Sequence, residues 1–212
     1  SPDHHDFYTE TASIAKNLDP SRPTGGVRNI QFSELLEDVY TYNDFSHTGD
    51  NPGLAKKKSI TKDVPYLVTE HNGHMFPTKS FDTEAHRVEH MKRHLNVIHS
   101  ALNPKHKISG AIGWAMFDYH THSAFGSGDS VCYHGVLDMF RIPKYASYAY
   151  LLNDNQKTFF HVLSTMDIGE YPSGHLPEIF ILTSYDAVKM YKNDVYIGTY
   201  HKAYESIFFG SR

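Results

Sequence analysis

Between Asp6 and Leu152 the chain alternates short apolar runs with longer stretches of helical periodicity, and this alternation limits its fold more than any other feature. Strands separated by helices pair through crossovers, which makes them parallel. Asp6–Leu18 sets Phe7, Ile14 and Leu18 on one helical face and stops at Asp19-Pro20, where proline disfavours helix for the residue before it. Thr24-Gly25-Gly26-Val27 reads as a short first strand whose glycines permit close backbone approach. Asp38–Tyr42 reads as a second strand, rich in β-branched and aromatic residues, and a loop with Gly49, Pro52 and Gly53 follows. Pro65–Glu70 is the third, an apolar run suited to burial on both faces. Thr83–Leu102 repeats Val88, Met91, Leu95, Ile98 and Leu102 at spacings of three and four, which predicts an amphipathic helix. Ile108–Phe117 reads as a fourth, buried strand, and Pro143 begins a last helix lined by Tyr145, Tyr148 and Leu152. The pattern fits an open sheet and half of a (β/α)8 barrel equally.

The pattern changes near Asn153-Asp154-Asn155. Phe159–Ser164, Glu178–Ser184 and Val188–Tyr200 read as strands without intervening helices, with a tight turn at Asn193-Asp194. That predicts an α/β domain over 1–154 and the beginning of an all-β sandwich over 155–212.

Charge and composition exclude some partners. The net charge is −4, and the longest basic block is Lys56-Lys57-Lys58, which reads as a solvated loop. Nucleic acid is therefore not an expected partner. No apolar run reaches the length of a membrane span, so no membrane partner is expected. The single cysteine, Cys132, allows no intrachain disulfide and carries no nucleophile signature. Gly126 and Gly128 lack the Gly-Lys-Ser/Thr continuation of a phosphate loop.

Three residues stand where strand ends carry chemistry in parallel folds. Glu70 ends the most apolar strand and is followed by His71-Asn72-Gly73-His74. From pattern alone it fits a nucleophile, a general base or a helix-capping carboxylate. Trp114 fits a sugar platform or core packing. Tyr42 fits a carboxylate partner or a buried ring. His86, His90 and His94 share one side of the long helix, opposite its apolar face, and are expected to form a solvated stripe. His120 and His122, on a loop after the fourth strand, are better placed for a site, yet their spacing supports no metal.

The segment Tyr66–Lys79, reading YLVTEHNGHMFPTK, resembles the β-galactosidase group of glycoside hydrolase family 2. Asp19–Gly26, Asp38–Phe45 and Gly110–Tyr119 are similar to the segments around that family's fifth, sixth and eighth barrel strands, with the Glu70 segment as the seventh. The resemblance covers roughly residues 3–150, and the tail around Val188–Asn193 is similar to the immunoglobulin-like domain that follows the barrel.

The resemblance implies the C-terminal half of a (β/α)8 barrel followed by part of an all-β immunoglobulin-like sandwich. It implies a retaining β-glycosidase acting on terminal β-D-galactosides, with Glu70 as nucleophile. Tyr42 matches the tyrosine that hydrogen-bonds that nucleophile, and Trp114 a tryptophan of the sugar pocket. His71, Asn72 and His74 occupy the loop beside it. No cofactor is expected, and the metal ligands of some family members would lie upstream of Ser1. The family's acid/base glutamate, in an Asn-Glu pair, would also lie upstream. A retaining enzyme needs two carboxyl groups about 5–5.5 Å apart. The chain alone is therefore expected to be inactive, and to self-associate or to need its missing N-terminal half. No convincing set of cationic or amide donors near the strand ends suits a glucuronide, which favours a neutral sugar. The alternatives are a non-catalytic carbohydrate-binding or assembly module and a metal-dependent hydrolase using the histidines.

Overall fold

The structure is a computed structural model that describes residues 4–48, 53–121, 128, 130–154, 158–164 and 178–201. His122, Gly126 and most of the loop that contains them lie outside the described residues. The fold is α/β. Two compact units divide the chain, one formed by 1–77 with 93–116 and the other by 78–92 with 117–212.

The first unit holds a three-stranded parallel sheet in the order β1 (Tyr40–Asn43), β2 (Tyr66–His71), β3 (Ala111–Gly113). Helices intervene, as parallel pairing requires. Helix α1 (His5–Leu18) precedes β1, the one-turn α2 (Lys57–Ile60) lies between β1 and β2, and α3 (Glu84–Leu102) between β2 and β3. Tyr40, Tyr42, Ile60, Tyr66, Val68, Leu54 and Val97 form one buried cluster. Residues two apart on a strand share a face, so Tyr40 with Tyr42 and Tyr66 with Val68 fill this side together. Burying such side chains stabilises by roughly 1.5–3 kcal/mol each.

Several expectations are corrected. Thr24–Val27 is extended but joins no ladder. The Thr24 carbonyl accepts from Asp38 N and Val39 N, while the Gly26 carbonyl is taken by the Thr41 hydroxyl (2.7 Å) and by Arg28 Nε (3.0 Å). The segment still lies along β1, since Asn43 N donates to the Arg28 carbonyl at 2.8 Å, but side chains take the Gly26 carbonyl that a continuous ladder would use. Helix α1 forms as predicted but buries none of its residues; Phe7, Ile14 and Leu18 are all exposed. β3 is shorter than expected, and Ile112 (55%), Trp114 (41%) and Met116 (63%) are exposed rather than buried on both faces. Finally, α3 has no solvated histidine stripe. His90 and His94 are 2% and 1% exposed. Val88, Met91, Leu95 and Val97 are buried as well, so the buried positions extend around most of the helix. Lys57 and Lys58 lie on α2 rather than in a loop.

The second unit contains β4 (Tyr119–His120) paired with β5 (Val131–Cys132), helix α4 (Tyr145–Leu152), and two antiparallel pairs, β6 (Phe160–Val162) with β7 (Ile181–Thr183) and β8 (Ala187–Lys192) with β9 (Val195–His201). The expected helix after Pro143 and the expected turn at Asn193-Asp194 are both present. Asn193 and Asp194 have φ of 47° and 64°, the two positive values that a two-residue type I′ hairpin needs. The Tyr148 and His161 rings stack 3.7 Å apart, seating the β6–β7 pair on α4. No helix among the described residues is long and apolar enough to cross a membrane.

The polar anchor of this unit is a buried ion pair. Lys144 Nζ donates to Asp118 Oδ1 and to the Thr78 carbonyl, each at 2.6 Å, and Gly135 N donates to the same Asp118 oxygen at 2.9 Å. Both side chains are 2% exposed. Burial pushes the Asp118 carboxyl up and the Lys144 ammonium down, and their mutual hydrogen bond opposes both shifts. Removing one partner strands a buried charge. Asp118→Ala is expected to cost about 3–5 kcal/mol in urea unfolding, and Asp118→Leu combined with Lys144→Met to recover most of that loss. A double variant as unstable as Asp118→Ala would contradict this.

Candidate active site

The C-terminal ends of β1, β2 and β3 bring together Asn43, Glu70 to Gly73 and Trp114. Parallel pairing aligns Tyr42 with Val68, but the next pair is Asn43 with Glu70, so Thr69 is the extra residue of a bulge. Such irregularities re-aim side chains at strand ends. Here the bulge sets the Glu70 carboxylate opposite the Asn43 amide.

That amide bridges two groups. Thr69 Oγ1 donates to Asn43 Oδ1 at 2.9 Å, and Asn43 Nδ2 donates to Glu70 Oε2 at 3.0 Å. The hydroxyl therefore fixes which end of the amide faces the carboxylate. The backbone is fixed too, since Asp44 N donates to the Glu70 carbonyl at 2.8 Å. Glu70 Oε1 has no hydrogen-bond partner among the described residues. A Cβ at Gly73 would lie 3.3 Å from that oxygen and 2.9 Å from Phe45 Cε1, and Gly73 has φ of +34°. Glycine is required there on both counts. Partial burial raises the Glu70 pKa by disfavouring its charged form.

Beyond Glu70 the chain turns through a buried polar loop. His71 and Asn72 are 1% and 6% exposed. The His71 Nδ1 and Asn72 Oδ1 are 2.6 Å apart, with the ring donating, and Asn72 N donates to His47 Nε2 at 3.0 Å. Asn72 has φ 64° and ψ −46°, a conformation costly for a side-chain-bearing residue. The rings of His47 and His94 stand 6.5 and 6.4 Å from that of His71, edge to face. Burial holds the His71 imidazole neutral down to a pKa of about 4 and lowers that of His47 as well. The buried Asp44 carboxylate beside them is saturated by Ser46 N (2.8 Å), Ser46 Oγ (2.6 Å) and Ala55 N (2.8 Å).

The expected residues divide as follows. Glu70, His71 and Asn72 form the loop just described, and Trp114 joins it through its backbone N–H, which donates to the His71 carbonyl at 2.9 Å. Its indole is 41% exposed, as a platform for a ligand would be. Tyr42 is 8% exposed within the apolar cluster, and the group found on the Glu70 carboxylate is the Asn43 amide. The side chain of His74, in the 3-10 turn Gly73–Met75, lies outside the described residues. Asn43 carried no expected role. Its only signal in the sequence was its position at a strand end directly after Tyr42.

A beta-galactosidase from Thermoanaerobacterium thermosulfurigenes is 48% identical over 195 residues, 90% of this chain. One from Rhizobium meliloti is 40% identical over 205 residues, also 90% of the chain. The chain is a relative of the β-galactosidases. It spans 27% of the length of each of these two proteins. No protein-family model matches it. Among solved structures, Bacteroides uniformis beta-glucuronidase 3 matches 93% of the chain, and the chain covers 28% of that structure, at a TM-score of 0.65 and 16% identity. A beta-glycosidase from Bacteroides vulgatus matches 94% of the chain at a TM-score of 0.64 and 17% identity, with 30% of that structure covered. At such identities the likeness is one of fold.

Because His71 is neutral in the fold but titrates normally when unfolded, folding releases its proton between pH 6.5 and about 4. Its contribution is complete above pH 6.5 and is lost as pH falls toward 4, up to about 3 kcal/mol in all. Unfolding free energy measured over this range should fall steeply with acid, and His71→Gln should flatten the fall. An unchanged slope in His71→Gln would contradict the burial of the ring.

Proposed function

We propose that the chain is the nucleophile-bearing part of a retaining β-glycosidase that hydrolyses terminal β-D-galactosides. The observation that carries this reading is the Glu70 carboxylate at the end of a parallel strand, with one oxygen held by Asn43 and the other open. Identity of 48% to a beta-galactosidase over 195 residues supports the galactoside.

In this reading Glu70 Oε1 attacks the anomeric carbon as the glycosidic C–O bond breaks, giving a glycosyl ester. A second carboxylic acid gives its proton to the departing oxygen. It then takes one from water, which displaces Glu70 and releases the sugar. The Asn43 amide keeps Oε2 from rotating into the attacking position and favours the ionised form, opposing the effect of burial. Trp114 lies under the sugar's C–H face. His71 and Asn72 shape the pocket wall, their buried loop excluding water from the ester. Tyr42, buried in the apolar cluster, anchors the strand end that carries Asn43.

The second carboxylic acid belongs to the remainder of a longer enzyme, in keeping with relatives more than three times the length of this chain. The first unit with the adjoining helices is half of a (β/α)8 barrel, and the antiparallel pairs after Asn153 begin an immunoglobulin-like sandwich. The three-stranded sheet supports this, since β3 keeps an unpaired edge among the described residues, whereas the outer edge of β1 is met by residues 24–28 through Val39 N to the Thr24 carbonyl and Asn43 N to the Arg28 carbonyl. Ile112 and Met116 flank the β3 edge as exposed apolar groups. Open edges of this kind invite pairing. The chain alone is inactive and self-associates unless the other half covers the β3 edge.

Joining the chain to the preceding segment of the Thermoanaerobacterium thermosulfurigenes relative should restore hydrolysis of nitrophenyl β-galactoside. Glu70→Gln should reduce kcat of the joined protein by about four orders of magnitude or more with little loss of fold. Asn43→Ala should lower kcat about a hundredfold, as the loss of a positioned donor does. A joined protein that hydrolyses galactoside equally well with Glu70→Gln would refute the assignment.

A further inference from the structure

Two separate stretches of sequence bring six lysines, Lys56, Lys57, Lys58, Lys62, Lys105 and Lys107, to the wall of one cavity of ≈ 430 Å³. The stretches are tied together, since Lys57 N donates to the His106 carbonyl at 3.0 Å. A volume of this size suits a small organic ligand. The cavity adjoins the residues leading into β2 and β3, so it lies at the N-terminal end of the sheet, opposite Glu70.

Its charge is far from balanced. Asp63 is the one acid on the wall, and Lys57 Nζ already bonds it at 2.9 Å. The Lys57 hydrogen bond, together with the charges of Lys57 and Lys107, lowers the Asp63 pKa. Lys56, Lys58, Lys62, Lys105 and Lys107 have no hydrogen-bonded acid among the described residues. In a chain of net charge −4, six ammonium groups against one carboxylate form a concentrated positive field. Such crowding repels, and a multiply charged anion is what would offset it.

The wall also has an aromatic face. Phe32 is 57% exposed beside the lysines, held by its N–H to the Ile60 carbonyl at 2.7 Å. Phe32 and Lys107 both have φ of 55°, where side-chain-bearing residues are disfavoured. Glycine would relieve both positions, yet the chain presents a ring and an ammonium there.

We propose that this cavity binds a small ligand carrying two or more closely spaced phosphate groups. A single phosphate would neutralise little of the excess charge. A nucleic acid needs an extended stripe, whereas these lysines surround a concavity.

Calorimetric titration of the 212-residue chain at low ionic strength tests this with inorganic phosphate, tripolyphosphate and ATP. Tripolyphosphate should bind at one site per chain, about tenfold or more tighter than inorganic phosphate, and should weaken as salt is raised. Lys62→Gln with Lys105→Gln should weaken it by about tenfold or more, while Lys189→Gln, on the exposed face of β8, leaves it unchanged. The thermal midpoint of the double variant should not fall, because like charges have been removed. Lys107→Gly should raise that midpoint and still weaken binding, a split that a purely structural lysine would not give. Binding of ATP tighter than tripolyphosphate, with the excess lost in Phe32→Ala, assigns a nucleotide; equal binding assigns an inorganic polyphosphate. Absence of saturable tripolyphosphate binding, equal loss in Lys189→Gln, or binding confined to single-stranded RNA would overturn the proposal. None of these readouts depends on glycoside hydrolysis.

Discussion

The bridge from Thr69 through the Asn43 amide to Glu70 is the interaction on which the candidate site depends. An amide has a donor end and an acceptor end, and only a second contact determines which end meets a carboxylate. The Thr69 hydroxyl supplies that contact at 2.9 Å. The bridge exists because the β1–β2 ladder slips by one residue beyond Tyr42. A regular ladder would have put Thr69, not Glu70, opposite Asn43. One bulged residue therefore decides whether the carboxylate has a partner.

The loop after Glu70 serves the same end by different means. A positive φ at Asn72 and another at Gly73 turn the chain sharply away from the strand, leaving Oε1 clear. The buried, neutral imidazoles of His47 and His71 fill the space beneath the loop without placing cations beside the carboxylate. His71, Asn72 and His47 Nε2 are hydrogen-bonded to one another, which makes burying them tolerable, while His47 Nδ1 stays unpaired among the described residues. Trp114 is tied into the same unit through the His71 carbonyl. Sheet, loop and the Trp114 backbone thus hold one another in register.

Much of this was legible in the sequence, and the failures have physical causes. The β2 strand, helix α3, the Asn193-Asp194 hairpin and the position of Glu70 all follow from local periodicity and turn chemistry. Thr24–Val27 looked like a strand, but its Gly26 carbonyl is claimed by side chains that local sequence cannot reveal. His90 and His94 sit opposite the long helix's apolar stripe, yet they are buried because that helix is covered around most of its circumference. The Asn43 bridge could not be read at all, because a bulge changes which residues face each other and leaves no mark in composition. The lysine cavity was hidden for a similar reason: residues 56–62 and 105–107 become neighbours only once α3 returns the chain to the sheet.

Trapping the covalent intermediate tests the central claim most directly. A 2-deoxy-2-fluoro-β-galactoside with a dinitrophenyl leaving group needs little acid assistance to form the ester, and its fluorine slows the ester's hydrolysis. The chain joined to its missing N-terminal part should gain the mass of one fluorosugar, and peptide mapping should locate it on Glu70. A label on any other residue, or inactivation with Glu70 unmodified, would contradict the account.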